Sequence, residues 1–249
     1  MPNRLATVFV SHGSPMHAIE AGSAGEAWRN IAAALPRPRA VLMVSAHWET
    51  DRPAVSSASR PETIHDFSGF PESLSRIRYP APGVPAVARR IDELLGASDF
   101  TVDLDGDRGL DHGAWVPLSY MYPQADVPVL QLSVQPRSTP ARHLALGRAL
   151  HALTGEGVLL VGSGHMTHNL GDWMRDKPVP YVSEFRDWIH ERIGHQDHES
   201  LVAYRSLAPH AVRAHPTEEH FLPLFVALGA AGMPYRPERA FDGMERGAL

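Results

Sequence analysis

Short apolar runs, each cut off by glycine, proline or small polar residues, recur along the chain. Val8-Phe9-Val10, Ala40 to Ser45, Phe100 to Leu104, Val127 to Val134 and Val158 to Val161 are too short for buried helices and read as strands. Between them lie stretches with apolar positions three and four residues apart. Gly25 to Leu35 puts Trp28 and Ile31 on one face and is stopped by Pro36. Val84 to Leu95 sets Val84, Val87, Ala88, Ile91 and Leu95 against Arg89, Arg90, Asp92 and Glu93. Further helices are predicted from about Asp111 to Met121, over Pro140 to Leu153 with proline in the first turn, over Ser183 to Ile193, and over Glu199 to Ser206. A last helix is predicted from Pro216, with Thr217 as its N-cap, to about Leu228. Pro53 to Pro82 is rich in Pro, Ser and Gly and reads as a long irregular loop. Its aromatics Phe67, Phe70 and Tyr79 predict an ordered cover over something. Strands alternating with helices, with no repeat or linker, predict one α/β domain over residues 1–249. Its central sheet should be mainly parallel, with helices on both faces.

Composition narrows the chemistry. Apolar residues make up 43% of the 249, enough for a sizeable core. With 23 basic and 28 acidic residues the net charge is −5, and no basic block points to nucleic acid or a membrane surface. The longest mostly apolar run, Phe221 to Met233, is too short to span a bilayer and contains Pro223. Met1 to Val10 lacks the apolar region of a signal peptide, so a cytoplasmic protein is expected. The absence of cysteine excludes disulfides, thiolate metal sites and a cysteine nucleophile. Histidine is the outlier, at 15 residues.

Several of these histidines fall just past strand ends. His12 follows the first strand, His47 the second, and His165 and His168 the strand that ends at Val161. In open α/β sheets the carboxyl edge of the strands is where ligands bind, and imidazole is the commonest protein metal ligand. Without cysteine, a transition-metal site must use histidine and carboxylate, which suits Fe, Zn, Mn, Co or Ni. His220, beside Glu218 and Glu219, could complete either a two-His-one-carboxylate or a three-His site; Glu218 itself is explained by the dipole of a helix start. His112 is a general acid or base, or a polar residue at a helix start. His65 contacts a substrate oxygen or its own loop. His17, His143, His151, His190, His195, His198, His210 and His215 read as solvated surface. Gly162-Ser163-Gly164 lacks the frame of a serine nucleophile elbow, and no phosphate loop or dinucleotide fingerprint is present.

Seven motifs, in order along nearly the whole chain, resemble one family. They are Ser11-His12-Gly13-Ser14-Pro15, Ser45-Ala46-His47-Trp48, Thr63-Ile64-His65-Asp66-Phe67, Tyr79-Pro80-Ala81-Pro82-Gly83, Asp111-His112-Gly113, Ser163-Gly164 through His168-Asn169-Leu170, and Pro216-Thr217 through His220. Together they resemble the DOPA-dioxygenase-like branch of the class III extradiol ring-cleaving dioxygenases. The resemblance implies a single α/β domain holding one mononuclear divalent metal: Fe(II) for opening a catechol with dioxygen, with zinc found in some bacterial relatives. It implies His12, His47 and His220 as ligands, His168 as a further ligand or the acid/base beside the metal, and His112 as the histidine that handles protons. His165 takes no role from it. The implied partners are a small aromatic diol and dioxygen, with no nucleic acid and no membrane. His65, Trp48 and Tyr79 are candidates for holding the substrate ring, with Phe67 and Trp115 as further aromatic walls. Two rival readings use the same histidines: a zinc hydrolase that activates water, and a non-catalytic zinc-binding protein. The chain stops at Gly247-Ala248-Leu249, a few residues before members of the branch usually end.

Overall fold

The computed structural model describes residues 4–173 and 179–244, so the chain end at Gly247-Ala248-Leu249 lies outside the described residues. Six strands form one sheet: β1 (Val8–Ser11), β2 (Ala40–Glu49), β3 (Ala54–Ser56), β4 (Asp103–Asp105), β5 (Val129–Val134) and β6 (Val158–Gly164). Their order across the sheet is β1-β6-β2-β5-β3-β4. The four strands from β1 to β5 run parallel, β3 pairs antiparallel with β5, and β4 runs parallel to β3. Among the described residues, six helices have ten or more residues: α1 (Gly22–Ala34), α2 (Pro85–Gly96), α3 (His112–Met121), α4 (Pro140–Ala149), α5 (Pro180–Gly194) and α6 (Leu222–Ala231).

The central strands are buried on both faces, as a parallel sheet covered by helices requires. Alternate residues point into different cores. Leu42, Val44, Leu130, Leu132 and Leu160 pack with α2, α4, α5 and α6. Val41, Met43, Val129, Leu159 and Val161 pack with Trp28 of α1 and Trp115 of α3 on the other side. The mainly parallel α/β sheet read from the sequence is the one observed.

Several boundaries move. β3 lies inside the stretch predicted to be irregular; three residues are too few to carry a periodic signal, although all three are buried. The fourth strand occupies Asp103–Asp105 rather than Phe100 to Leu104, because Phe100 is spent packing under the Arg142 guanidinium, 3.7 Å from its ring centre. The predicted Pro140–Leu153 helix breaks into α4 and a short turn at Ala152–Gly155, with Thr139 as the N-cap of α4. The last helix starts at Leu222, one turn and more after Pro216. Thr217 does not cap it: its hydroxyl hydrogen-bonds Glu219 at 3.0 Å, and Arg205 holds the carbonyls of His215 and Pro216. The stretch before α6 is therefore a pinned loop. No helix among the described residues is long and apolar enough to cross a membrane.

Helices α4 and α6 approach through glycine. A Cβ on Gly147 would overlap the Val226 carbonyl, and one on Gly229 the Leu144 carbonyl. Backbone blocks both positions, so overpacking cannot be relieved by rotating a side chain. Gly229→Ala should lower the unfolding free energy by about 1–3 kcal/mol, whereas Gly96→Ala at the end of α2, where nothing lies within 4 Å, should not destabilise. Urea unfolding of the two variants checks this.

Candidate metal centre

The carboxyl ends of β1, β2 and β6 lie side by side, and each passes a histidine to the same edge. His12 follows β1 directly and its backbone N–H donates to the Gly164 carbonyl at 3.0 Å. β2 pairs with β5 from Val41 to Val44 and then slips register before Glu49, while its pairing with β6 runs on to Ser45; His47 turns inward just beyond. His220 comes from the pinned loop before α6. It reaches the edge because Gly164 has no side chain: a Cβ there would overlap the His220 carbonyl oxygen. That carbonyl instead accepts the His165 N–H at 2.8 Å.

Nitrogen atoms of His12, His47 and His220 lie within 4.8 Å of one another. Hydrogen bonds of His12 and His220, and the nearby Asp66 carboxylate for His47, set which nitrogen faces inward. The Ser163 hydroxyl donates to the Gly113 carbonyl, so at 3.0 Å it can only accept from His12 Nδ1. His12 thus carries its proton on Nδ1 and a lone pair on Nε2. His220 Nδ1 donates to Glu219 at 2.9 Å, and His47 Nδ1 faces Asp66 at 3.5 Å, leaving their Nε2 lone pairs free. His12 Nε2 and His47 Nε2 stand 3.0 Å apart. Two facing lone pairs repel unless a cation lies between them, and nitrogens bonded at 2.0–2.1 Å to a tetrahedral ion sit about 3.3 Å apart. The donor set fits a divalent metal. Burial, with repulsion from neighbouring imidazoles, drives the pKa of His12 and His220 well down and that of His47 to about 4, so all three stay neutral.

Around the three lie further groups. His112 opens α3, and its backbone N–H and Nδ1 both bond the Asp66 carboxylate at 2.9 Å. Its Nε2 is thereby left as a proton acceptor, and its ring centre is 4.0 Å from that of His47. Burial pushes the Asp66 carboxyl up, but its bonds and attraction to His112, aided by His47, outweigh this and hold it at about 2. His168 stacks on His220, ring centres 3.5 Å apart and planes 11° from parallel. It groups with Glu219 and His220, not with His12 and His47. His165 lies 4.7 Å from the His12 ring, buried, with Nδ1 lacking a partner.

One fully buried carboxylate ties His47 to His112. Asp111 caps α3 and accepts from Ser45, Arg108 and Gln131, each at 2.7 Å. Ser45 also accepts the His47 N–H, and Arg108 reaches the His47 carbonyl.

The candidate ring-holding residues are scattered. His65 Nε2 meets the Ile77 carbonyl at 3.0 Å, the Tyr79 hydroxyl donates to the Tyr122 carbonyl at 2.9 Å, and Trp48 lies under Arg108. Trp115 donates to the Ile64 carbonyl, while the Phe67 ring stands edge-on to His112 at 5.9 Å. The sequence assigns no role to Asp66 or Ser163, though each adjoins a motif histidine or glycine. Three histidines read as surface are buried: His143, His198 and His215. His143 accepts the Gln135 N–H and bonds the Thr139 carbonyl, and His198 bonds Tyr235, so each fills a polar gap that the linear pattern does not reveal.

Comparison with known proteins places this arrangement in company. The profile of the family described as the catalytic LigB subunit of aromatic ring-opening dioxygenase matches residues 6–244. A Beta vulgaris protein named 4,5-DOPA dioxygenase extradiol is 44% identical over 98% of this chain and 93% of its own. A protein of the same name from Escherichia coli strain K12 is 39% identical over 99% of this chain and 92% of its own. The crystal structure of an uncharacterized protein from Escherichia coli K12 has a TM-score of 0.83 and 36% identity, covering 99% of this chain and 97% of that one.

Two outcomes are expected. Ser163→Ala should weaken metal affinity by about 10–100-fold, because His12 loses the group that fixes its tautomer; competition with a chromophoric chelator measures this. The buried histidines also make metal-free protein acid-sensitive. Their folded pKa values lie below the unfolded value near 6.5, with His47 at about 4 and His215 at about 3. The unfolded chain then binds more protons, so stability is complete above about pH 6.5 and lost as pH falls below it. Melting temperatures of chelated protein should drop from pH 7 to pH 5; a flat profile would contradict the neutral assignment.

Proposed function

We infer that this chain, which belongs to the family of the catalytic LigB subunit of aromatic ring-opening dioxygenases, is an extradiol enzyme that opens a small catechol-type diol with dioxygen at a single Fe(II) held by His12, His47 and His220. The observation that carries this reading is the set of inward Nε2 lone pairs: the outer nitrogens of His12 and His220 bond Ser163 and Glu219, and that of His47 faces Asp66. Relatives named for 4,5-DOPA support a catechol bearing an amino-acid side chain as the substrate.

Fe(II) held by His12, His47 and His220 would supply the electron relay between an ortho-diol and dioxygen that the direct spin-forbidden reaction lacks. These three histidines, all neutral, are the nitrogen donors that would hold it. His112 Nε2 takes the proton of a diol hydroxyl. Asp66, ionised at neutral pH, accepts from His112 Nδ1 and stabilises the imidazolium that results. His168, stacked beside ligand His220, supplies the second proton-handling group. Phe67, edge-on to His112, limits water at the base. Zinc, with a filled d-shell, fits the same nitrogens but cannot cycle electrons, and protein grown in ordinary medium is expected to carry zinc. We place the enzyme in the cytoplasm.

His112→Ala should keep the metal and lose ring-opening activity by about 10²–10⁴-fold, while His47→Ala should lose the metal too. The Fe(II)-loaded protein should consume dioxygen in proportion to an ortho-diol and form a yellow product; a matched monophenol should be inert, and the zinc form should bind the diol without oxygen uptake. Ester hydrolysis by the zinc form, with no oxygen uptake from any catechol by the iron form, would replace this reading with a hydrolase.

A further inference from the structure

The loop after β6, which carries His168, and the loop before α6, which carries His220, are laced together. The His168 N–H donates to the Ala214 carbonyl at 2.8 Å, the His165 N–H to the His220 carbonyl at 2.8 Å, and the Asn169 amide to the Arg213 carbonyl at 2.7 Å. Besides the Asn169 amide, a second side chain crosses between them, from the opposite loop. His215 Nε2 lies 2.9 Å from the Met166 carbonyl, two residues before His168.

His215 has no exposed surface, and its ring packs against Phe221 at 4.7 Å and Phe185 at 5.6 Å. A carbonyl oxygen only accepts, so His215 must carry its proton on Nε2. Its Nδ1 is then a buried lone pair, and no partner meets it. Burial pushes the ring down to about pKa 3, so it stays neutral and in that one tautomer. An aromatic or aliphatic residue would fill the same surroundings without an orphaned nitrogen, which is unfavourable to bury. What histidine adds is the single N–H aimed at Met166. From the other side, Arg205 holds the His215 and Pro216 carbonyls and Tyr204 bonds Glu218, so the loop that bears His215 is itself fixed.

We propose that His215 is a positioning residue for His168: by holding the Met166 carbonyl it fixes the turn on which His168 lies flat against ligand His220. This rests on the reading of His168 as the second proton-handling group. Among the described residues, the only hydrogen bond of the His215 ring goes to the Met166 carbonyl, and through it the ring acts on the turn that carries His168.

The test uses the full Fe(II)-loaded enzyme with an ortho-diol and compares His215→Phe, His215→Gln and His168→Ala. Each is assayed for bound iron, cooperative melting, KM and kcat. His215→Phe should keep its iron and a KM within about 3-fold of the parent, and lose about 10–100-fold in kcat, the scale of a small misplacement of a reacting group. His215→Gln, whose amide N–H can still donate to Met166, should restore kcat to within about 3-fold of the parent. If His215→Phe fails to melt cooperatively, His215→Asn, whose shorter amide falls short of Met166, is read in its place by the same criteria. Parental kcat in the donor-less variant, equal loss in His215→Gln, or a loss explained by iron or KM would overturn the proposal. If His168→Ala keeps parental kcat, the assignment of His168 falls; if His168→Ala is inactive while His215→Phe is not, only the role of His215 falls.

Discussion

A neutral imidazole has two nitrogens and one proton, and the site depends on where that proton is kept. Ser163, itself committed to the Gly113 carbonyl, gives His12 no choice. Glu219 settles His220 and Asp66 faces His47. Three lone pairs thus converge at a largely buried point of the sheet edge. The cost of grouping so many polar rings in a buried place is large; it is tolerable because burial keeps them uncharged and because a cation satisfies what the protein leaves open.

The sheet supplies the rigidity that this requires. β1, β6 and β2 are adjacent and parallel, so their ends cannot move independently. Behind them, Asp111 joins β2, β5 and the start of α3 through one buried carboxylate, and Arg108 supplies the counter-charge. Removing one partner would leave the other buried and uncompensated, which is more damaging than replacing both. The network sets the backbone of His47 and the first turn that bears His112 relative to each other, so both histidines are placed by the same group.

The sequence made His12 and His47 legible because each follows a short apolar strand that ends abruptly, and strand ends at one sheet edge are neighbours by topology alone. His220 was legible as a candidate through its acidic neighbours, but as part of a helix start. The loop that carries it is held by Arg205 from far along the chain, which local propensity does not encode. β3 escaped because three residues show no period. His143, His198 and His215 looked solvated because their neighbours are polar or small; what buries them is tertiary packing. Asp66 was hidden in a loop motif beside a more conspicuous histidine, and only the fold turns the carboxylate rather than His65 toward the centre.

The three histidines grouped to hold a metal lie far apart in the chain, at residues 12, 47 and 220. In a chain without cysteine, an ion there works as a staple, closing a loop that includes most of the domain. Its binding energy is available only to the folded chain and so adds to the stability of the whole, rising with the free metal concentration. It also sets an order of events during synthesis: β1, β2 and β6 all precede the loop before α6 in the chain, so the pocket stays incomplete until that loop has emerged. Metal occupancy would therefore report that the loop before α6 has reached the ends of β1 and β2.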